Sequence, residues 1–162
     1  MSCNKFQPHI LVLPEDDANR QIANGFIMEP SLNVRNIQVL PEVGGWIEVL
    51  HHFNSDHVRD MDRYSTRFMV LIIDFDGHAE RLEDAKKRIP GHLADRVFIV
   101  GALNDPEDLK RAGLGTPEKI GAALARDCQE GTEQTWGHQL LQHNAGELAR
   151  LRESIRPILF PA

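Results

Sequence analysis

Residues 68–73 read Phe-Met-Val-Leu-Ile-Ile and run directly into Asp74, Phe75, Asp76 and Gly77. A strand with one face in water alternates polar and apolar side chains. A run with no alternation belongs to a strand covered on both faces, as in the parallel sheets of α/β proteins. This one segment therefore predicts a sheet with helices on both sides, and it ends in two carboxylates.

The rest of the chain fits that sheet. Residues 9–13 (HILVL), 36–41 (NIQVLP) and 96–103 (RVFIVGAL) are the other apolar segments of strand length. Helical patterns lie between them. Residues 15–27 open with acids suited to capping and place Ile22, Phe26 and Ile27 on one face. Trp46, Val49, Leu50 and Phe53 recur at helical spacing. Residues 79–89 form a charged helix ending before Pro90. Pro106 and Pro117 suit first-turn positions, with Thr116 as an N-cap. A longer helix is expected over 135–155, with Trp136, Leu140 or Leu141, Leu148 and Leu151 as its buried stripe. His143 and Glu147 share a face there, and packing is the expected role of that helix. The alternation predicts an α/β fold, with a mainly parallel four-stranded sheet and right-handed crossovers. Residues 1–162 are read as one domain, with the α/β core at 9–110 and a helical extension at 116–162.

The net charge of −6 argues against a protein that coats nucleic acid by charge alone. The only basic cluster is the short 86–88 Lys-Lys-Arg. Action on phosphates would need a cation or a local basic patch. Cys3 and Cys128 lack metal-ligand spacing and are expected to be free thiols. No apolar run approaches a membrane span, and no signal-peptide layout is present. A cytoplasmic protein without membrane contact is the expectation.

Ligands of parallel sheets bind beyond the carboxyl ends of the strands. Glu15 follows the first strand, and Asp74 and Asp76 follow the third. In extended backbone, residues two apart point the same way, so Asp74 and Asp76 should share a side while Phe75 packs inward. Gly77 permits a sharp exit. Clustered carboxylates repel one another, and a hard divalent cation relieves that repulsion. Mg²⁺ or Mn²⁺ is therefore the expected cofactor. Asp16 and Asp17 are further candidates, with helix capping as their alternative role. Gly44 and Gly45 precede a helix whose first N–H groups could meet a phosphate.

A glutamate closing the first strand and a D-x-D-G closing the third resemble the Toprim fold. That family includes topoisomerase and primase catalytic domains and OLD-type nucleases. The resemblance implies a three-layer Toprim-like fold. It implies a general acid/base or metal-contacting role for Glu15, and Mg²⁺ ligation by Asp74 and Asp76. Glu107 is similar in placement to a further acid of OLD-type members. Where the family carries a glycine after the first glutamate, this chain has Asp16. The implied function is phosphoryl transfer or nuclease activity on nucleic acid or another phosphate-containing substrate.

Residues 9–26 also resemble the start of response-regulator receiver domains, and 96–113 resemble their fourth strand and following helix. That resemblance implies Mg²⁺ at Asp16 and Asp17 and a phosphoacceptor role for Asp74. The receiver's hydroxyl residue after strand four is replaced by Gly101 and Ala102, and no fifth strand with its lysine is evident. A third reading is a non-catalytic Toprim-like protein that binds a protein partner.

Overall fold

The computed structural model describes residues 2–161. Four parallel strands form one sheet in the order β2-β1-β3-β4. They are β1 (His9–Pro14), β2 (Ile37–Val39), β3 (Arg67–Ile72) and β4 (Val97–Val100). The helices are α1 (Asp17–Phe26), α2 (Trp46–His52), α3 (Val58–Arg63), α4 (Arg81–Lys86), α5 (Pro106–Arg111), α6 (Pro117–Glu130), α7 (Ala145–Ser154) and α8 (Arg156–Leu159). A π-helical turn at Phe53–His57 joins α2 to α3. β1 and β3 pair in register over their whole length, from His9 opposite Arg67 to Pro14 opposite Ile72.

Alternate side chains of the central strands feed two cores. Leu11, Leu13, Met69, Leu71 and Ile99 pack with Val49, Leu50, Phe53 and Met61 of the α2–α3 segment and with Ala85 of α4. Ile10, Val12, Ile72, Phe98 and Val100 pack with Ala23 of α1 and with Leu151, Ile155 and Leu159 of the extension. The result is three layers with a fully covered sheet, as the unalternated 68–73 run requires. It is consistent with a Toprim-like three-layer fold.

A third core joins α5 and α6 to Trp136, Leu141 and Leu148. Here α1 and α6 meet backbone to backbone. A Cβ on Gly121 would lie 1.9 Å from the Ile22 carbonyl oxygen, and one on Gly25 would lie 2.1 Å from that of Glu118. Only glycine allows this approach.

The extension departs from the expected helix over 135–155. Residues 134–141 are turns with a bend at His138, Gln142–Asn144 is a 3₁₀ helix, and α7 begins at Ala145. In a continuous helix the Leu140 carbonyl would accept from the Asn144 N–H. It accepts instead from Leu103 at 2.9 Å, and the Leu141 carbonyl accepts from the Asn144 side chain at 2.9 Å. The expected apolar stripe is nevertheless buried at Trp136, Leu141, Leu148 and Leu151.

That irregularity lets side chains stand in for a fifth strand. The outer edge of β4 offers backbone groups at every second residue. Ile99 N–H donates to Glu147 Oε2 at 2.9 Å, and Gly101 N–H donates to Asn144 Oδ1 at 3.1 Å. The Gly101 carbonyl accepts from Asn144 Nδ2 at 3.0 Å and from His143 Nε2 at 2.8 Å. Arg150 donates to the Val97 carbonyl at 3.3 Å. An open strand edge is a template for unwanted pairing, and this one is closed by polar side chains. Glu147 is 1% exposed and holds two cations, Lys86 at 2.9 Å and Arg150 at 2.8 Å. His143 and Glu147 thus serve the fold.

Candidate functional site

In the order β2-β1-β3-β4 the crossovers leave β1 and β3 toward opposite faces. The crevice opens at the carboxyl ends of those two strands. Glu15 and Asp74 occupy it. The pairing of β1 and β3 continues one step past the strands, with Glu15 N–H donating to the Ile72 carbonyl at 2.8 Å. The Glu15 side chain then turns back, and its Oε2 accepts the Asp74 N–H at 2.6 Å.

Asp74 is 7% exposed. Its Oδ1 accepts from Asn19 Nδ2 at 3.0 Å. Asn19 lies in the first turn of α1, whose N-cap is Asp16; the Asp16 carboxylate accepts the Asn19 N–H at 2.9 Å. One asparagine therefore ties Asp16 through its backbone and Asp74 through its side chain. Burial raises the Asp74 carboxyl to a pKa of about 7, and the neighbouring Asp16 and Glu15 charges add to the rise against the Asn19 hydrogen bond. Burial raises Glu15 too, opposed by the Asp74 N–H and reinforced by the charges of Asp16 and Asp76. Like charges forced together out of water favour the protonated form.

Asp76 is not buried beside Asp74, and its backbone is not extended. Its φ is +49° and its side chain is 63% exposed. The chain leaves the extended conformation after β3 because residues 75–77 bond to the segment following β4. Phe75 N–H donates to the Ala102 carbonyl at 3.1 Å and Gly77 N–H to that of Leu103 at 2.7 Å. Gly77 takes a φ of +77°. Phe75 packs into the core as expected, fully buried, with its ring 4.8 Å from that of His143. Asp76 is held instead by Arg81. One guanidinium nitrogen, Nη1, donates to Asp76 Oδ2 at 3.0 Å and to the Asp74 carbonyl at 2.7 Å. The same guanidinium lies 4.6 Å from the Trp46 ring, a cation–π contact that braces it.

The other candidates lie around this centre. Asp17 is exposed and pairs with Arg20 and with Gln21. Glu107 is exposed in the first turn of α5, where Asp105 is the cap. Gly44 has a φ of +98°, and its N–H donates to the Glu15 carbonyl at 2.7 Å. It positions the glutamate backbone. Gly45 takes the N-cap position of α2.

Asn19 and Arg81 escaped the sequence reading. Asn19 could have been found as a polar residue in register with Ala23 and Phe26 on the buried side of α1. Arg81 carries no such signal, since its role depends on where α4 begins.

Among the described residues, no group of three His, Cys, Asp or Glu side chains is arranged as a complete metal-ligand set. The donor chemistry still suits a hard cation that keeps most of its water. Mg²⁺ commonly takes one or two carboxylates and several waters. The hydrogen bonds above engage Asp74 through Oδ1 and Glu15 through Oε2, and the Asp16 carboxyl also lies within hydrogen-bonding reach of Asp74. No helix among the described residues is long and apolar enough to cross a membrane, and both cysteines are free thiols. No protein family, curated protein or solved structure matches the chain.

Proposed function

We propose that Asp74 and Glu15 hold a Mg²⁺ or Mn²⁺ ion that keeps most of its water, with Asp16 and Asp76 at the rim, serving Toprim-like phosphoryl-transfer or nuclease chemistry. The observation that carries this reading is the buried Asp74 pressed between two further acids at the crevice of the sheet. A divalent cation replaces the proton that this crowding otherwise demands. When bound, the cation would neutralise a substrate phosphate and activate water. The protein's own part is to hold its carboxylates still. Asn19 and the Glu15–Asp74 bond fix Asp74, and Arg81 fixes Asp76 and offers positive charge beside them. A Glu15 carboxyl shifted upward holds a proton more readily than an ordinary carboxylate, as a general acid or base requires.

The test is calorimetric titration with Mg²⁺ and Mn²⁺, followed by metal-dependent cleavage of DNA, RNA or a phosphodiester. Heat of binding is expected in the wild type and is expected to vanish in Asp74→Ala. A wild type that binds neither ion sinks the metal reading. Metal binding without cleavage of any of these substrates favours the non-catalytic interaction protein.

A receiver-like phosphoacceptor is the second reading, favoured by the Asp16 charge beside Asp74. Acetyl phosphate should then label Asp74. The helix α7 in place of a fifth strand speaks against it, since the receiver's lysine follows that strand.

A further inference from the structure

Between the sheet and helices α1, α6 and α7 lies a cavity of about 100 Å³. Val12, Ile72, Ala23, Leu124, Trp136 and Leu151 contribute to its walls, which are almost wholly hydrocarbon. Arg152 and Arg156 also reach it, but a terminal nitrogen of each is bound to a backbone carbonyl, of Thr132 and Gln129 respectively. The notable wall residue is Asn19, which is 1% exposed. Its Nδ2 is bound to Asp74, while its Oδ1 is buried and has no partner. Buried acceptors are nearly always satisfied, and an unsatisfied one signals a missing donor. The apolar wall residues supply none, and the Arg152 Nε–H, also buried without a partner, is left unused.

We infer that this cavity is a binding site for a small, mainly apolar molecule bearing one hydrogen-bond donor, on the scale of a phenol, with the donor on Asn19 Oδ1. The size follows from the volume: an engineered apolar cavity of roughly 150 Å³ takes up benzene, so a single small ring is the upper limit here. The chemistry follows from the wall: an apolar body displaces no bound polar group, and one hydroxyl completes Asn19. Such a ligand would also polarise the amide and strengthen its Nδ2–H bond to Asp74. The inference holds with or without a metal at Asp74 and Glu15.

Thermal unfolding of the wild-type protein with phenol or benzene, in the absence of divalent ions, tests it. Phenol is expected to raise Tm by about 5–10 °C at about a hundredfold excess over its Kd, and benzene to raise it less at equal concentration. Ala23→Leu, which adds bulk to the cavity wall, is expected to remove both shifts. Should that variant fail to fold, xenon NMR on the wild type replaces it, with a bound-xenon signal that phenol displaces as the expected result. Equal shifts from phenol and benzene would overturn the Asn19 contact. No shift from either, or xenon that phenol leaves in place, would overturn the site.

Discussion

Glu15 and Asp74 are joined through the backbone: a carboxylate from the end of β1 accepts the N–H at the end of β3, 59 residues away in the chain. The bond places a negative charge against the peptide of a second acid. Both groups titrate above their ordinary ranges, because burial and mutual repulsion penalise their charged forms.

This relationship sets a pH dependence. The folded Asp74 carboxyl has a pKa of about 7 against an ordinary 3.8. Between those values the folded state binds the more protons, so stability falls as pH rises. The contribution is fully present below about pH 4 and lost by about pH 7, and Glu15 acts in the same direction. Asp74→Asn keeps an acceptor for Asn19 and cannot ionise. It should be more stable than wild type at pH 8, by on the order of 1–3 kcal/mol, with a flatter profile from pH 4 to 8. Urea denaturation at a series of pH values measures this. A wild type whose stability rises across that window would contradict it.

Arg81 couples the rim to the centre, since it binds the Asp74 carbonyl and the Asp76 carboxylate and stacks on Trp46. Arg81→Gln should cost about 1–2 kcal/mol of stability through the lost charged hydrogen bonds and stacking. Removing a cation beside the acids should also tighten Mg²⁺ binding, by roughly three- to tenfold if about 1 kcal/mol of repulsion is relieved. Calorimetry on the variant decides; unchanged or weaker Mg²⁺ affinity would separate Arg81 from the site.

Glu147 anchors the edge that a fifth strand would otherwise cover. Glu147→Ala leaves Lys86, Arg150 and the Ile99 N–H without their partner. The expected loss is about 3–5 kcal/mol, the range for breaking a buried ion pair. Glu147→Gln retains an acceptor and should lose less. Hydrogen exchange at the Ile99 amide gives the local readout, and protection unchanged in the alanine variant would refute the edge-closing role.

Gly101 lies where β4 passes the end of β3, and a Cβ there would sit 1.6 Å from the Ile73 carbonyl oxygen. Gly101→Ala must push apart the strands that position Asp74. A loss of roughly 3 kcal/mol or more is expected from strain of this kind. Gly146→Ala, where nothing lies within 4 Å of the added Cβ, is the control and should be close to neutral in the same chemical denaturation series.

Much of the fold was legible in the chain. The run from Phe68 to Ile73 demanded two covered faces, and the alternation of apolar and helical segments demanded crossovers. These are local periodicities, imposed by whether a side chain meets water. The placing of Glu15 and Asp74 at neighbouring strand ends also followed, because parallel strands present their carboxyl ends at one edge. What lies past those ends did not. The i, i+2 geometry expected of Asp74 and Asp76 fails because the Ala102 and Leu103 carbonyls, distant in sequence, capture the backbone of Phe75 and Gly77. The helix expected from residue 135 starts ten residues later because Leu103 and the edge of β4 claim the bonds it needed. Asn19 and Arg81 acquire their partners only when α1 and α4 are docked. Burial periodicity is written residue by residue along the chain; the satisfaction of each polar group depends on which distant donor or acceptor the packed structure brings to it, and that was decided by the tertiary structure alone.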